Sequence, residues 1–201
     1  MTHTEFYGSH YPEMKTTEQY LLDLIDLYTA VKREREGMKP IVYRCSRIKT
    51  PESMMNKLKK RGYEPTAADA LSKVYDAIGV RAVCAFSEDV YRLVHWLKTR
   101  NAFEIINEKD YYTHPKPNGY RSYHMQILLN TETVSDYYAE IQIRTIATDF
   151  WATLEHQLKY KEDIPNEKLI RNELKRCADE IASTDLSMQT IRDIIRESLT
   201  Q

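Results

Sequence analysis

Several groups of residues in this chain have the types and spacing needed to handle a phosphorylated, planar ligand. The most informative is the run His114-Pro115-Lys116-Pro117-Asn118-Gly119-Tyr120-Arg121-Ser122-Tyr123-His124. Two prolines stiffen it and Asn-Gly is a strong turn signal, so it reads as a rigid loop presenting an aromatic face beside donors and a cation. A base carrying phosphates would suit that surface; so would the plainer role of a hairpin loop with polar punctuation. A second group is basic: between Arg44 and Arg61 stand seven basic side chains and one acid, Glu52. Lys59 and Lys60 read as a solvated helix face. Lys57 and Arg61, four apart, share a face, and with Arg47 and Lys49 just before them they could converge on a polyphosphate; nucleic acid could use the same patch. Third, Asp76 stands at the mouth of the apolar run Ala77–Phe86. Mg²⁺ is commonly held by one or two carboxylates, with phosphate and water completing the shell, although a strand-end turn aspartate would look the same. Arg81 inside that run needs a partner, because a buried guanidinium is costly alone. Last, Tyr137–Thr145 alternates, with Ala139, Ile141 and Ile143 on one face and Tyr138, Glu140, Gln142 and Arg144 on the other, the pattern of a strand with one face in the core. Acid, amide and base on the second face are what the floor of a site would offer.

The elements that must position these groups follow from periodicity and punctuation. Residues 1–15 read as an irregular lead-in. A helix is predicted from Thr16, with Gln19 placed for a capping box; Leu21, Leu24, Ile25, Tyr28 and Val31 form its packing stripe and Gly37 its stop. Ile41–Lys49 is a predicted strand with Tyr43, Cys45, Arg47 and Lys49 on one face and Arg44, Ser46 and Ile48 on the other. Thr50 caps a helix opened by Pro51 and stopped at Gly62. A short helix over 66–75, a strand over 76–86, a helix capped by Ser87 and running to about Thr99, and strands over 103–112, 120–129 and 137–145 follow, with a polar turn over 130–136. A helix over Ile146–Lys161 carries the stripe Phe150, Trp151, Leu154 and Leu158, and 165–201 reads as two helices broken near Ser183-Thr184, with packing or oligomer formation as their role.

Composition sets the bounds. The chain has 201 residues, 42% of them apolar, enough for one compact domain with terminal additions. A net charge of -1 selects no partner by bulk electrostatics. Fifteen tyrosines against four phenylalanines suit surfaces that both pack and hydrogen-bond. Cys45, Cys84 and Cys177 are scattered without zinc-ligand spacing, so reduced thiols in a cytoplasmic protein are expected, with Cys84 in the core. No apolar signal-peptide run opens the chain and no stretch has the apolar length of a membrane span.

Taken in order, Arg47-Ile48-Lys49 with Ser53 and Lys57, Asp76-x-x-Gly79-x-Arg81, Lys116-x-Asn118-Gly119-Tyr120-Arg121-Ser122-x-His124, Glu140-x-Gln142-Ile143-Arg144-Thr145 and Phe150-Trp151-Ala152-x-x-Glu155-His156 resemble the RelA/SpoT synthetase domain. The closest likeness is to the small alarmone synthetases of the RelQ and RelP type. The resemblance covers roughly 41–161, which divides the chain into an N-terminal helical segment (1–40), a synthetase domain (41–161) and a C-terminal helical tail (162–201). It implies an α+β, nucleotidyltransferase-like fold with a mixed β-sheet flanked by helices. The implied reaction is transfer of pyrophosphate from ATP to the 3′-hydroxyl of GDP or GTP, giving ppGpp or pppGpp and AMP. By the same likeness Arg47 and Arg81 would sandwich adenine; Lys49, Lys57 and Arg61, with Ser53, would hold the ATP phosphates; Asp76 would bind Mg²⁺. Tyr120 would stack on guanine, with Lys116, Asn118, Arg121 and His124 lining the acceptor site. Glu140 would serve as general base or second metal ligand, supported by Gln142, Arg144 and His156. The chemistry is consistent: attack at the β-phosphorus asks mainly for positioning and charge neutralisation.

Two positions depart from the family pattern. Tyr123 stands where the long members usually carry an aliphatic residue. Asp149 stands where some relatives carry Asn, near the acceptor site, and bears on the choice between GDP and GTP. The long stringent-response enzymes add hydrolase and regulatory domains whose motifs are missing here, so synthesis without hydrolysis is expected. Similar small synthetases form homotetramers through terminal helices, and some bind pppGpp or single-stranded RNA. Two other readings share the fold: a toxic relative that makes an adenosine alarmone or pyrophosphorylates tRNA, and an inactive nucleotide- or RNA-binding module. The second would need neither Asp76 nor Glu140.

Overall fold

The computed structural model describes residues 1–36, 39–131, 135–159 and 166–199. The element order is α1 (His3–Tyr7), α2 (His10–Glu36), β1 (Ile41–Ile48), α3 (Pro51–Lys60), α4 (Ala67–Lys73), β2 (Ile78–Cys84), α5 (Ser87–Lys98), β3 (Phe103–Asp110), β4 (Tyr123–Asn130), β5 (Ser135–Thr145), α6 (Ile146–Lys159) and α7 (Glu167–Leu199). The strands form one five-stranded sheet in the order β1-β2-β5-β4-β3. Only the β2–β5 pair is parallel; the others are antiparallel. This is the mixed sheet with flanking helices expected from the sequence.

One sheet face is the core. Ile78, Val80 and Ala82 of β2, Ala139, Ile141 and Ile143 of β5, and Met125, Ile127 and Leu129 of β4 are buried in it. Leu21, Leu24, Ile25 and Tyr28 of α2 and Val90, Leu93, Val94 and Leu97 of α5 join the same cluster, and α2 lies against β1 and β2, α5 against β2 and β5. Each fully buried aliphatic side chain contributes about 1.5–3 kcal/mol relative to exposure, so the two helices seal this face. The opposite face keeps its polar side chains and forms the floor of the site.

Several elements differ from expectation. The lead-in is helical: Thr2 and Glu5 form a reciprocal capping box on α1, and α2 begins at His10 because Tyr7 and Met14 are core residues. Thr16 and Thr17 do not cap; their hydroxyls donate to the carbonyls of Pro12 and Glu13, and Gln19 donates to Asp23. Phe86, not Ser87, is the N-cap of α5, with no side-chain cap bond. The predicted break at Ser183-Thr184 is absent: α7 is continuous, its Thr184 and Ser187 hydroxyls donating to carbonyls one turn back, a bond that lets such residues sit inside a helix. Ala178, Asp185, Gln189 and Arg192 are buried on both sides of that point, at coiled-coil-like spacing. On α6 only Trp151 of the expected stripe is buried; Phe150, Leu154 and Leu158 are 59%, 42% and 53% exposed, because Trp151, Ala152 and Glu155 take the inward face. The expected stop at Gly37, the centre of the 130–136 turn and the end of α6 at Lys161 lie outside the described residues.

Candidate active site

Strand register builds the floor row by row. Arg47 is opposite Gly79, Gly79 beside Glu140, and Glu140 opposite Gln126. One row along, Cys45, Arg81, Gln142 and His124 are paired across the same strands. Side chains two apart on a strand share a face, so these groups point the same way. The Arg47 stem packs over Gly79, its Cγ 3.7 Å from where a Cβ would stand, an ordinary van der Waals contact.

At one end, Asp76 precedes β2 and receives both Lys49 and Lys57, each with Nζ at 2.7 Å. Lys49 follows β1; Lys57 projects from α3, whose start is fixed by Thr50, accepting from the Ser53 amide, and by Pro51 in the first turn. Burial works against the Asp76 charge, but the two ammoniums outweigh it and hold the carboxyl below its ordinary value. Burial likewise lowers Lys49 against the pull of Asp76. The main chain at Lys49 is fixed from behind: its carbonyl accepts from the Tyr7 hydroxyl at 2.8 Å, and the Ile48 carbonyl lies 3.2 Å from His3 Nε2. Helix α1 thus props the lysine that faces Asp76.

Toward the middle, Glu140 is the hub. Its Oε1 accepts from Gln142 Nε2 at 2.7 Å and lies 3.4 Å from His124 Nδ1; its Oε2 accepts from Gln126 Nε2 at 3.2 Å. Burial would raise this carboxyl, but His124 foremost, with Gln142 and Gln126, brings it down to about 2. A recess of about 60 Å³ is lined by Arg47, Asp76, Arg81, Glu140 and Gln142, so the two acids distant in sequence face one space.

At the other end, a cavity of about 350 Å³ shares Arg47, Arg81 and Gln142 with that recess and adds Tyr120, Arg144 and His156. That size is at the lower end of small-molecule sites. The Tyr120 hydroxyl is bound to His124 Nε2 and accepts from Arg144 Nη2, both at 2.8 Å. The Lys116 ammonium lies 4.7 Å from the ring centroids of both Tyr111 and Tyr120. The loop between β3 and β4 turns at Gly119 with φ +89 and rests on α7. Asn118 ties it to Glu155 of α6 at 2.9 Å.

The structure therefore brings together Arg47, Lys49, Lys57, Asp76, Arg81, Lys116, Asn118, Tyr120, His124, Glu140, Gln142, Arg144 and His156 in one continuous polar region. It places four expected site residues differently. Ser53 and Arg61, at the two ends of α3, are exposed and line neither cavity. Arg121 turns to α7, donating to the Ala178 carbonyl and pairing with Asp179 at 3.3 Å. Asp149 is buried and occupied by three side chains. Sequence reasoning missed Gln126, which alternation along β4 from His124 would have put on the floor, and Tyr43, already placed on the face of Arg47. It also missed Tyr7, in a segment with no visible periodicity. Among the described residues no cluster of three or more metal-type side chains is gathered. Two carboxylates suffice for Mg²⁺ when phosphate is present, and Asp76 and Glu140 are hard oxygen donors held ionised in a common recess, so the donor set fits that ion.

Comparisons with known proteins bear on the family and the fold. Residues 46–165 match the family described as the region found in RelA / SpoT proteins. The GTP pyrophosphokinase YwaC of Bacillus subtilis is 41% identical over 170 residues, covering 80% of each chain. Among solved structures, a GTP pyrophosphokinase family protein from Streptococcus pneumoniae superposes with a TM-score of 0.84 at 34% identity, over 98% of this chain and 97% of that one. The small alarmone synthetase 1 of Bacillus subtilis bound to its product pppGpp does so with 0.81 at 27% identity, over 92% and 95%. The fold, the placement of the motifs and these matches lead to one conclusion: the chain belongs to the RelA/SpoT family.

Proposed function

We infer that this protein is a GTP pyrophosphokinase that transfers the β,γ-pyrophosphate of ATP to the 3′-hydroxyl of GDP or GTP, forming ppGpp or pppGpp and releasing AMP. The observation that carries the reading is the meeting of Asp76 and Glu140 in one recess, between a lysine pair and an aromatic cavity that shares its walls. A relative named as a GTP pyrophosphokinase at 41% identity supports it.

In this reading ATP lies over Arg47 and Arg81, with adenine between the guanidiniums, and its phosphates reach Lys49 and Lys57. Arg61 and Ser53 flank that path from α3. The acceptor base stacks on Tyr120, with Lys116, Asn118 and His124 around it. The bond that forms joins O3′ to the β-phosphorus; the bond that breaks is the one between the β-phosphorus and the oxygen bridging it to the α-phosphorus, which leaves with AMP, and the hydroxyl proton passes to water. Lys49 and Lys57 neutralise charge on the phosphate oxygens, and positioned cations of this kind supply much of the acceleration in phosphoryl transfer. Glu140, with its carboxyl at about 2, is a fixed anion; it orients the hydroxyl or holds a cation better than it removes a proton, since an efficient general base has a pKa near the operating pH. Mg²⁺, held by Asp76 with Glu140, would neutralise the transferring phosphates.

Homo-oligomer formation belongs to the same reading. Phe150, Leu154 and Leu158 on α6 and Met188, Ile191 and Ile195 on α7 are exposed apolar residues at helical spacing, a face that a second copy would cover. No helix among the described residues is long and apolar enough to cross a membrane.

The test is thin-layer chromatography of labelled ATP with Mg²⁺ and GDP, GTP, AMP, ADP or tRNA as acceptor. Labelled ppGpp or pppGpp is expected. Labelled tRNA or an adenosine product without a guanosine one would move the assignment to the toxin-type relatives. No transfer to any acceptor would leave a binding module.

A further inference from the structure

Asp149, in the first turn of α6, is 4% exposed. Its Oδ1 accepts from Arg144 Nη1 at 2.8 Å and lies 3.1 Å from Arg81 Nη1. Its Oδ2 accepts from the Tyr43 hydroxyl. Three of the roughly four acceptor sites of the carboxylate are thus taken, and the group is almost wholly closed off from solvent. The three partners come from β5, β2 and β1, so one carboxylate ties α6 to three strands. Both guanidiniums line the cavity with Tyr120, and only Arg81 reaches on into the recess beyond it. Arg81 lines the recess with Asp76 and Glu140. Arg144 reaches Tyr120 and, at 3.1 Å, Gln142, and through these His124 and Glu140. Two like charges held against one oxygen stay together only while that anion lies between them.

We propose that Asp149 is a positioning residue that couples the donor and acceptor nucleotide subsites by anchoring Arg81 and Arg144 to one carboxylate. It rests on the assignment of ATP to Arg81 and of the acceptor base to Tyr120 made above, Arg144 joining the acceptor side through its bond to the Tyr120 hydroxyl. The physical consequence is cooperativity. A nucleotide stacked on Arg81 fixes that guanidinium, which restricts the carboxylate and with it Arg144 and Tyr120. The second nucleotide then meets an acceptor site already ordered, and its binding no longer carries that ordering cost. Linkage makes the effect reciprocal.

Calorimetric titration of AMPCPP, which lacks the scissile bond, with and without saturating GDP gives the coupling ratio directly. In the wild type GDP should tighten AMPCPP by about fivefold or more, the lower end of typical couplings. Asp149→Asn keeps the shape and one acceptor but loses the charge; its ratio should fall to about one. With the two nucleotides no longer aligned together, kcat/KM should fall about 100-fold, the scale of an ångström misplacement. Tyr43→Phe removes the bond that fixes Oδ2, so the carboxylate can turn and hold the two arginines less firmly to each other; its ratio should lie between the two. A folded Asp149→Asn protein with the wild-type ratio overturns the proposal. Should that variant not fold, an unchanged ratio in Tyr43→Phe overturns it instead. A wild type that transfers pyrophosphate but shows a ratio of one overturns the coupling and leaves the assigned activity intact; one that binds neither nucleotide removes the assigned activity and the coupling with it.

Discussion

The acceptor loop is seated on α7 at a point where only glycine fits, which gives a perturbation of known size. A Cβ on Gly119 would stand 2.5 Å from the Ala178 Cβ and 3.4 Å from the Lys175 Cα and carbonyl oxygen. Carbon atoms in good contact are about 3.5–4.0 Å apart, so Gly119→Ala needs roughly an ångström of movement between the loop and the helix. A second, independent cost comes from the backbone: φ is +89, and left-handed conformations cost an L-residue about 1–2 kcal/mol. The two costs can be separated. Ala178→Gly removes the atom that is struck while leaving the backbone of residue 119 as it was.

Steady-state kinetics with ATP and GDP varied separately is the assay. Gly119→Ala should raise the KM for GDP by tenfold or more and leave the KM for ATP near wild type, because Lys49, Lys57 and Asp76 do not touch this loop. In the double variant Gly119→Ala/Ala178→Gly the steric part should be recovered, leaving the backbone part, a factor of about 5–30. Ala178→Gly alone controls for loss of helix stability, about 1 kcal/mol. If the double variant is no better than Gly119→Ala, the contact between loop and helix does not set acceptor binding. If the KM for ATP rises as much as that for GDP, the loop does not belong to the acceptor alone.

Four further outcomes follow from contacts elsewhere. Arg192, buried against Asp89 at 2.8 Å and reaching Glu88 and Gln189, joins α7 to the start of α5; Arg192→Ala should cost about 3–5 kcal/mol in urea denaturation, the usual result of stripping a buried carboxylate of its partner. Tyr7→Phe removes the bond to the Lys49 carbonyl; it should cost about 1 kcal/mol of stability and raise the KM for ATP more than that for GDP. Burial lifts the Asp185 carboxyl above its ordinary value despite a 2.7 Å bond from Thr145. The folded state then binds the proton more tightly than the unfolded chain, so stability falls as pH rises from the ordinary carboxylate range to the raised value. Asp185→Asn should flatten that decline in melting scans from pH 4 to pH 8, and a variant that steepens it would reverse the sign. Phe150→Asp should shift sedimentation velocity toward a single chain if α6 faces another copy.

What was legible in the sequence was what alternates. The period of two in β1 and β5 put Arg47 and Lys49 on one face and Glu140, Gln142 and Arg144 on another, and both faces are those of the site. Register is not legible in the same way: nothing in the order of residues says that Gln126 meets Glu140 or that Cys45 meets Arg81, because pairing is decided by the whole sheet. Asp149 shows the limit best. Its position beside the family motif suggested a contact to the acceptor, whereas its partners come from three strands spread over a hundred residues. On α6, periodicity found an apolar stripe but could not say whether it faces the chain's own core or a second copy. Helix α1, five residues long, is too short to carry a period at all.

The free site is already neutralised from within, and that shapes what it can bind. Lys49 and Lys57 share Asp76, and Arg81 and Arg144 share Asp149, so the cations stand in place before any nucleotide arrives and need little reorganisation at the reacting step. The same pairing sets a threshold. Phosphate oxygens must compete with Asp76 for both lysines, and an anion gains by that exchange only if it offers at least as much charge at the right spacing. In the function proposed above, a triphosphate would span the lysine pair, and Asp76 would hold a divalent cation arriving with it. AMP, left with one phosphate after transfer, would offer the two ammoniums less charge, and Asp76 would compete for them more successfully. A carboxylate that opposes anion binding in the free site would thus favour the substrate over the product it becomes, and the ion pairs of the resting protein would be part of how turnover ends.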